Sequence, residues 1–229
     1  MRSCIERIFM LKRFLPIFLL LLTGTTINST CALADMQHDV NQAVAIIQRF
    51  RQIPERSIPP EVLRDARGLA IMTVFKAGFI FSGRGGTGVV LARTRRGWSG
   101  PSAIGTGGAG FGLQIGAQVT EFVFVLNTPE AVRAFSRGGN IQLGADVSVA
   151  AGPVGRTAEA GVTPLAAVYA YSLSQGLFGG ISVEGTIIAA RNDANAQYYH
   201  RYVTPEQILT GRVRVPAGAR LLQRVLDRY

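Results

Sequence analysis

The chain has 229 residues, 48% hydrophobic and 17% charged, with a net charge of +10, a length that suffices for one sizeable core. Its two cysteines, Cys4 and Cys31, both precede residue 35. From Asp35 onward the sequence therefore excludes a disulfide scaffold, a thiolate metal site and a cysteine nucleophile.

The N-terminus reads as an export signal. Arg2, Arg7, Lys12 and Arg13 precede an apolar run, Phe14 to Leu22, and Ala32-Leu33-Ala34 has the A-x-A form of a cleavage site. The run is short for a membrane span. Asn28-Ser29-Thr30 before Cys31 lacks the residues of a lipobox. The expectation is an exported protein of the periplasm or cell envelope, with residues 1–34 as signal and residues 35–229 as one domain, and absence of cysteine suits an oxidising compartment. Four signal cations against Glu6 leave +7 on the rest, nearly all of it arginine. A basic exported protein meets anionic lipid, lipopolysaccharide or acidic polymers more often than nucleic acid.

Residues 36–52 predict an amphipathic helix, with Val40, Ala43, Val44, Ile47 and Phe50 at helical spacing and Asp35 as N-cap. Pro59-Pro60 opens a short helix that Gly68 ends. Strands are expected at Leu69–Phe75, Phe79–Ser82, Thr87–Arg93 and Trp98–Ile104, with a Gly-rich turn at residues 83–86. Gly110–Leu126 reads as one long strand that alternates and then enters a buried region at Phe122–Leu126. Thr128-Pro129 starts a helix closed by Gly138-Gly139. Ile141–Val149 alternates as a strand, AGPVGRTAEAGVTP is a loop, and Ala167–Leu173 with Ile181–Ala190 reads as a hairpin linked by SQGLFGG. Helices are expected at Asp193–Arg201, after Thr204-Pro205 and from Pro216, the last with Leu221, Leu222, Val225, Leu226 and Tyr229 on one face. The fold class is α+β: a central twisted antiparallel or barrel-like sheet (residues 68–190) with helices at the N-terminal (35–67) and C-terminal (191–229) ends.

Two stretches spell the dinucleotide fingerprint, Gly83-x-Gly85-x-x-Gly88 and Gly105-x-Gly107-x-x-Gly110, but each leads into a strand rather than a helix. GRGGTGVV resembles the kinase glycine loop without any H-R-D, D-F-G or A-P-E. His38 and His200 stand far apart, so no metal or cofactor is expected. A hydrolase would need two of Glu121, Asp146, Glu159 and Glu184 to meet. What remains is a cationic set on an apolar, Gly-rich scaffold: Lys76, Arg84, Arg93, Arg95 and Arg96. Arg84 is expected at a hairpin tip and Arg95-Arg96 in the next turn, where arginine forks and turn N–H groups suit phosphate oxygens.

The runs ARGLAIMTVFKAGFIFSGRGGTGVVLAR, WSGPSAIGTGGAGFGLQIGAQVTEFVFVLN, GNIQLGADVSVAAGPVGR and YSLSQGLFGGISVEG resemble the SYLF, or Ysc84-type, domain. The resemblance covers about Arg67 to Thr210. It implies binding to phosphoinositides and anionic membranes, with actin binding in fungal members, and lipid contact through an N-terminal amphipathic helix and basic residues. Lys76, Arg84 and Arg93 match the family's basic pattern, whereas Arg95 and Arg96 rest on charge alone. The signal sequence and the lack of SH3 or FYVE modules fit an exported bacterial branch, for which actin is out of reach.

The expectation is thus a non-enzymatic domain that docks on anionic lipid or a membrane surface. The alternatives are an envelope protein built as an outer-membrane barrel or a hydrolase. Produced in an exporting bacterium, the chain should be recovered with Asp35 as its first residue by N-terminal sequencing. Recovery with the leader attached contradicts the cleavage site.

Overall fold

Apolar and β-branched residues concentrate between Gly68 and Leu126, and there they form the centre of one sheet. The computed structural model describes residues 36–54, 57–78, 81–111, 116–153, 166–176 and 187–229. Helices α1 (Met36–Gln52) and α2 (Pro60–Asp65) lead into β1 (Gly68–Gly78), β2 (Phe81–Thr94), the short β3 (Gly97–Trp98), β4 (Ser102–Phe111) and β5 (Gly116–Leu126). Helix α3 (Pro129–Ser136), β6 (Asn140–Gln142), β7 (Val149–Ala151), β8 (Val168–Gly176) and β9 (Ile187–Ala190) follow. The chain ends in α4 (Asn192–Tyr198), α5 (Pro205–Leu209), a 3-10 turn (Ala217–Ala219) and α6 (Arg220–Leu226).

The sheet runs β6-β9-β4-β2-β1-β5-β8-β7, with β3 beside β2, and curls as a half barrel. Its pairs are antiparallel except β7 with β8. All of β1 is paired on both sides, to β2 and to β5. Both faces are covered. Leu69, Ile71, Val89, Leu91, Val123 and Val125 pack beneath α1 and α6. Met72, Val90, Ile104, Phe122, Phe124 and Leu126 pack beneath α3 and the β6 region. This is why LAIMTV, Thr73 apart, and FVFVL are apolar: each apolar residue meets one core or the other. Among the described residues nothing pairs β6 with β7, so the sheet has two edges where an outer-membrane barrel would be closed.

Several expected elements differ. Residues 83–86 are not a turn, because β2 runs through them as a single strand. A side chain at Gly86 would strike the β1 backbone, 2.5 Å from the Thr73 carbonyl, so glycine there serves close strand approach rather than reversal. The expected long strand 110–126 is met instead by two strands, β4 and β5, that run in opposite directions on different sides of the β2–β1 pair. Alternation continues through glycines whichever way the chain goes, which hid the break. Ile141–Val149 is likewise interrupted. Gly144 has φ +93°, and Asp146 accepts the Gln142 N–H at 2.7 Å to hold a turn. The described parts of β8 and β9 pair with different neighbours, β5 and β7 against β4 and β6, and not with each other. A local turn composition does not choose a strand's partner. Leu221 leaves the apolar face of α6 and is exposed. The signal, the Asp35 cap, residues 154–165, the SQGLFGG link from Leu177 on and the first part of the predicted strand 181–190 lie outside the described residues.

Helix α1 is fixed by polar contacts as well as by its buried apolar stripe of Val40, Ala43, Ile47 and Phe50. Asp39, 4% exposed, accepts from Thr87 Oγ1 at 2.7 Å and from the Arg191 guanidinium at 3.1 Å. Near the other end Arg49 grips Glu121 of β5, its Nε donating to Oε2 at 2.8 Å. The C-terminal helices are locked similarly. Fully buried Asn195 accepts the Ala103 N–H at 2.7 Å and donates to Ser102 Oγ at 3.1 Å, while Tyr199 donates to the Pro101 carbonyl at 2.8 Å. Thr204 and Gln207 form a capping box on α5.

Burial pushes the Asp39 carboxyl above the usual carboxylate range, outweighing the opposing pull of Thr87 and Arg191. A pKa raised by folding makes the charged form costly, a cost absent at low pH and complete once pH has passed the folded value. Asp39→Asn removes that dependence. Urea unfolding should show the variant gaining stability relative to wild type as pH rises above about 4, the ordinary range of an aspartate; a flat or falling difference contradicts the assignment.

Candidate functional site

The five predicted cations do not form one patch. Lys76 and Arg84 face each other directly across β1 and β2, and Lys76 is also opposite Gln118 of β5. Directly opposed residues share a face of the sheet, so Gln118, Lys76 and Arg84 form one cross-strand row of nitrogen donors. Glycines end the row on both sides, Gly176 opposite Gln118 and Gly108 opposite Arg84. The guanidinium lies over Gly108: a Cβ added there would be 2.9 Å from Arg84 Nε. Gln118 is 3% exposed, and its Nε2 has no hydrogen-bond partner. Arg84 is therefore in mid-strand rather than at a hairpin tip, as the continuity of β2 requires.

The row sits between zones of different chemistry. One register step toward the core, the row Ser174, Thr120, Val74, Gly86 and Thr106 carries three hydroxyls, with Thr120 and Ser174 hydrogen-bonded at 3.1 Å. The next row, Phe122, Met72, Gly88 and Ile104, belongs to the α3-side core. On the opposite face at the same end, the sheet outruns its helical cover. Phe75 is 59% exposed, and Ala77, Gly83, Gly85, Gly107 and Ala117 are exposed around it. Added Cβ atoms at Gly83, Gly85 and Gly107 would meet nothing within 4 Å. One end of the sheet thus presents cationic and amide donors on one face and a bare apolar platform on the other.

Arg93, Arg95 and Arg96 lie elsewhere. Arg93 is nine residues beyond Arg84 on β2, about 30 Å at the rise of an extended strand. It stacks on Trp98 with 4.4 Å to the ring centroid and donates to the Ala66 and Leu63 carbonyls at the end of α2, at 3.3 and 3.4 Å. Arg95 and Arg96 are exposed in the turn between β2 and β3.

Of the carboxylates considered for hydrolysis, Glu121 is held by Arg49 and Asp146 is tied into its own turn. Glu159 and Glu184 lie outside the described residues. No cluster of three metal-ligating side chains occurs among the described residues. The apolar stripe of the N-terminal helix is buried against the sheet, with Ile46 and Ile47 1% exposed, whereas Phe75 is a large apolar side chain left exposed. Gln118 was missed by sequence reading. It appeared only as the polar partner in an alternating strand, and nothing local announces that a neighbouring strand puts Lys76 beside it.

These features define an α+β domain whose distinctive chemistry is displayed on the surface of a coiled sheet. The family profile Ysc84, described as "Las17-binding protein actin regulator", matches residues 107–229. Protein YSC84 of Saccharomyces cerevisiae is 53% identical over 178 residues, covering 76% of this chain and 38% of that protein. LAS seventeen-binding protein 3 of the same yeast is 52% identical over 178 residues, covering 76% and 39%. SH3 domain-containing YSC84-like protein 1 of Bos taurus is 42% identical over 204 residues, covering 86% and 60%. The chain belongs to the Ysc84, or SYLF-domain, family, and it spans roughly two to three fifths of these relatives' lengths.

Arg93 is expected to be structural. Arg93→Gln loses a cation–π stack and two charge-assisted bonds, a loss of about 1–2 kcal/mol to be read from the urea midpoint. Arg95→Gln and Arg96→Gln should each stay within about 0.5 kcal/mol of wild type. An unshifted midpoint for Arg93→Gln contradicts this role.

Proposed function

We propose that the protein is a non-enzymatic domain that binds anionic lipid through the open end of its sheet. The observation that carries this reading is the Gln118–Lys76–Arg84 row. Two cations directly opposite one another repel, and a phosphate oxygen between them converts that repulsion into charge-assisted hydrogen bonds. The Gln118 Nε2–H group, buried without an acceptor, gains one from the same headgroup. Exposed Phe75 and the glycine platform on the other face enter the apolar layer beside it. Family membership supports a binding role, since the family description names a regulator. The leader sequence supports export, which would put this end of the sheet before envelope lipid.

Each cation near a charged bilayer contributes about 1 kcal/mol. Lys76→Gln with Arg84→Gln should therefore weaken co-sedimentation of the full chain with phosphatidylglycerol-containing vesicles by about thirtyfold. Wild-type binding should fall with salt and vanish on phosphatidylcholine alone. Arg95→Gln with Arg96→Gln serves as the charge-matched control and should bind as wild type. Equal losses in the two double variants would reduce the effect to net charge, and no loss in the first would remove the site from the sheet end.

A further inference from the structure

The donor row at the open sheet end also selects among anionic lipids, an inference that rests on the lipid-binding reading above. Gln118, Lys76 and Arg84 follow one another in register across β5, β1 and β2. The row carries two cations and one neutral amide, and the amide Nε2 is buried without a hydrogen-bond partner. No carboxylate or histidine of β1, β2, β4, β5 or β8 shares its face. The single carboxylate of these strands, Glu121, points to the other face, where Arg49 holds it. Asp146, in the turn after β6 that packs on the row's side of the sheet, accepts the Gln142 N–H.

The height of the row is set as well. Lys76 follows Phe75 on β1, on the opposite face and one residue nearer the strand's end at Gly78. That step is about 3.3 Å along the strand. Once exposed Phe75 enters the apolar layer, the backbone of the donor row stands no farther out than the Phe75 ring. The phosphate it holds is therefore the one at the acyl boundary.

We propose that the row takes a phosphomonoester attached directly to the lipid backbone, as in phosphatidic acid, in preference to a phosphodiester headgroup or to a phosphate carried outward on a sugar or inositol ring. A phosphodiester has two unesterified oxygens and one negative charge. A monoester has three acceptor oxygens and approaches two charges at neutral pH. Three donors then meet three oxygens, two cations meet two charges, and the buried Gln118 Nε2–H gains its acceptor. A phosphate on a ring stands a ring's width above the acyl boundary, beyond the level that Phe75 sets.

The test is co-sedimentation of the full chain with phosphatidylcholine vesicles containing phosphatidic acid, phosphatidylglycerol or a phosphatidylinositol monophosphate, their fractions adjusted to equal surface potential. Phosphatidic acid vesicles should be bound about tenfold more tightly than either of the others, the worth of one further charge-assisted bond. The preference should shrink below about pH 6, where the monoester keeps a single charge. Gln118→Leu should cut it to about threefold or less, because the third donor is gone. Soluble glycerol phosphate, which has the same phosphate and no acyl chain, should not release the protein.

Equal binding of the three lipids, or tighter binding of the inositol lipid, overturns this proposal and leaves anionic-lipid binding standing. Complete release by glycerol phosphate makes the ligand a soluble phosphomonoester and overturns the lipid assignment. Absence of binding to any of the vesicles removes the lipid-binding reading itself, and this proposal with it. Should Gln118→Leu unfold, as read by its urea midpoint, the ranking of the lipids by the wild-type chain and its pH dependence still decide the question.

Discussion

The structure depends on the ladder in which β1 is hydrogen-bonded along its whole length to β2 on one side and β5 on the other. Every other element is placed by it. Because β1 is central, its residues must satisfy two cores at once, and LAIMTV does so with apolar side chains on both faces. Helix α1 closes one face and is fixed there by Asp39 and Arg49 as well as by its apolar stripe. Helix α3 and the β6 region close the other.

The same ladder continues beyond the helices that cover it. In its last register steps the side chains change from large and apolar to small or polar, and Phe75 is left exposed. A sheet that only needed to be stable would end where its cover ends. This one extends its hydrogen bonding to Gly78 and places Gln118, Lys76 and Arg84 in one row on the extension. The strands that carry the row are rigid because their other ends are buried, so the donors are held in position without a loop to order. That geometry is the physical basis of the proposed lipid site.

Much of this was legible in the sequence, and the failures have common causes. FVFVL and LAIMTV read as buried strands because they are almost wholly apolar, with no charged residue and Thr73 alone polar. The helix 36–52 was plain from its spacing, and Thr128-Pro129 and Thr204-Pro205 marked helix starts by their caps. Glycine was the main source of error. At residues 83–86 it was read as a turn, but Gly86 is there because β1 leaves no room for a side chain. Between β4 and β5 glycine concealed that two strands, not one, occupy this stretch. Strand partners were not legible at all, which is why β8 and β9 looked like a hairpin and why five cations looked like one set. Register divides them: Lys76 and Arg84 become neighbours, while Arg93 is taken up in bracing α2 and Trp98.

The central claim is that lipid meets the uncovered end of the ladder and no other part of the domain. Hydrogen–deuterium exchange of the full chain, with and without phosphatidylglycerol vesicles, tests this most directly. The account predicts slowed exchange in Phe75–Gly78, Gly83–Gly86, Gly107–Gly108 and Ala117–Gln118, with Arg95, Arg96 and helix α1 unchanged. Protection centred on the Arg95–Arg96 turn or on α1, with the Lys76–Arg84 end unchanged, would contradict it.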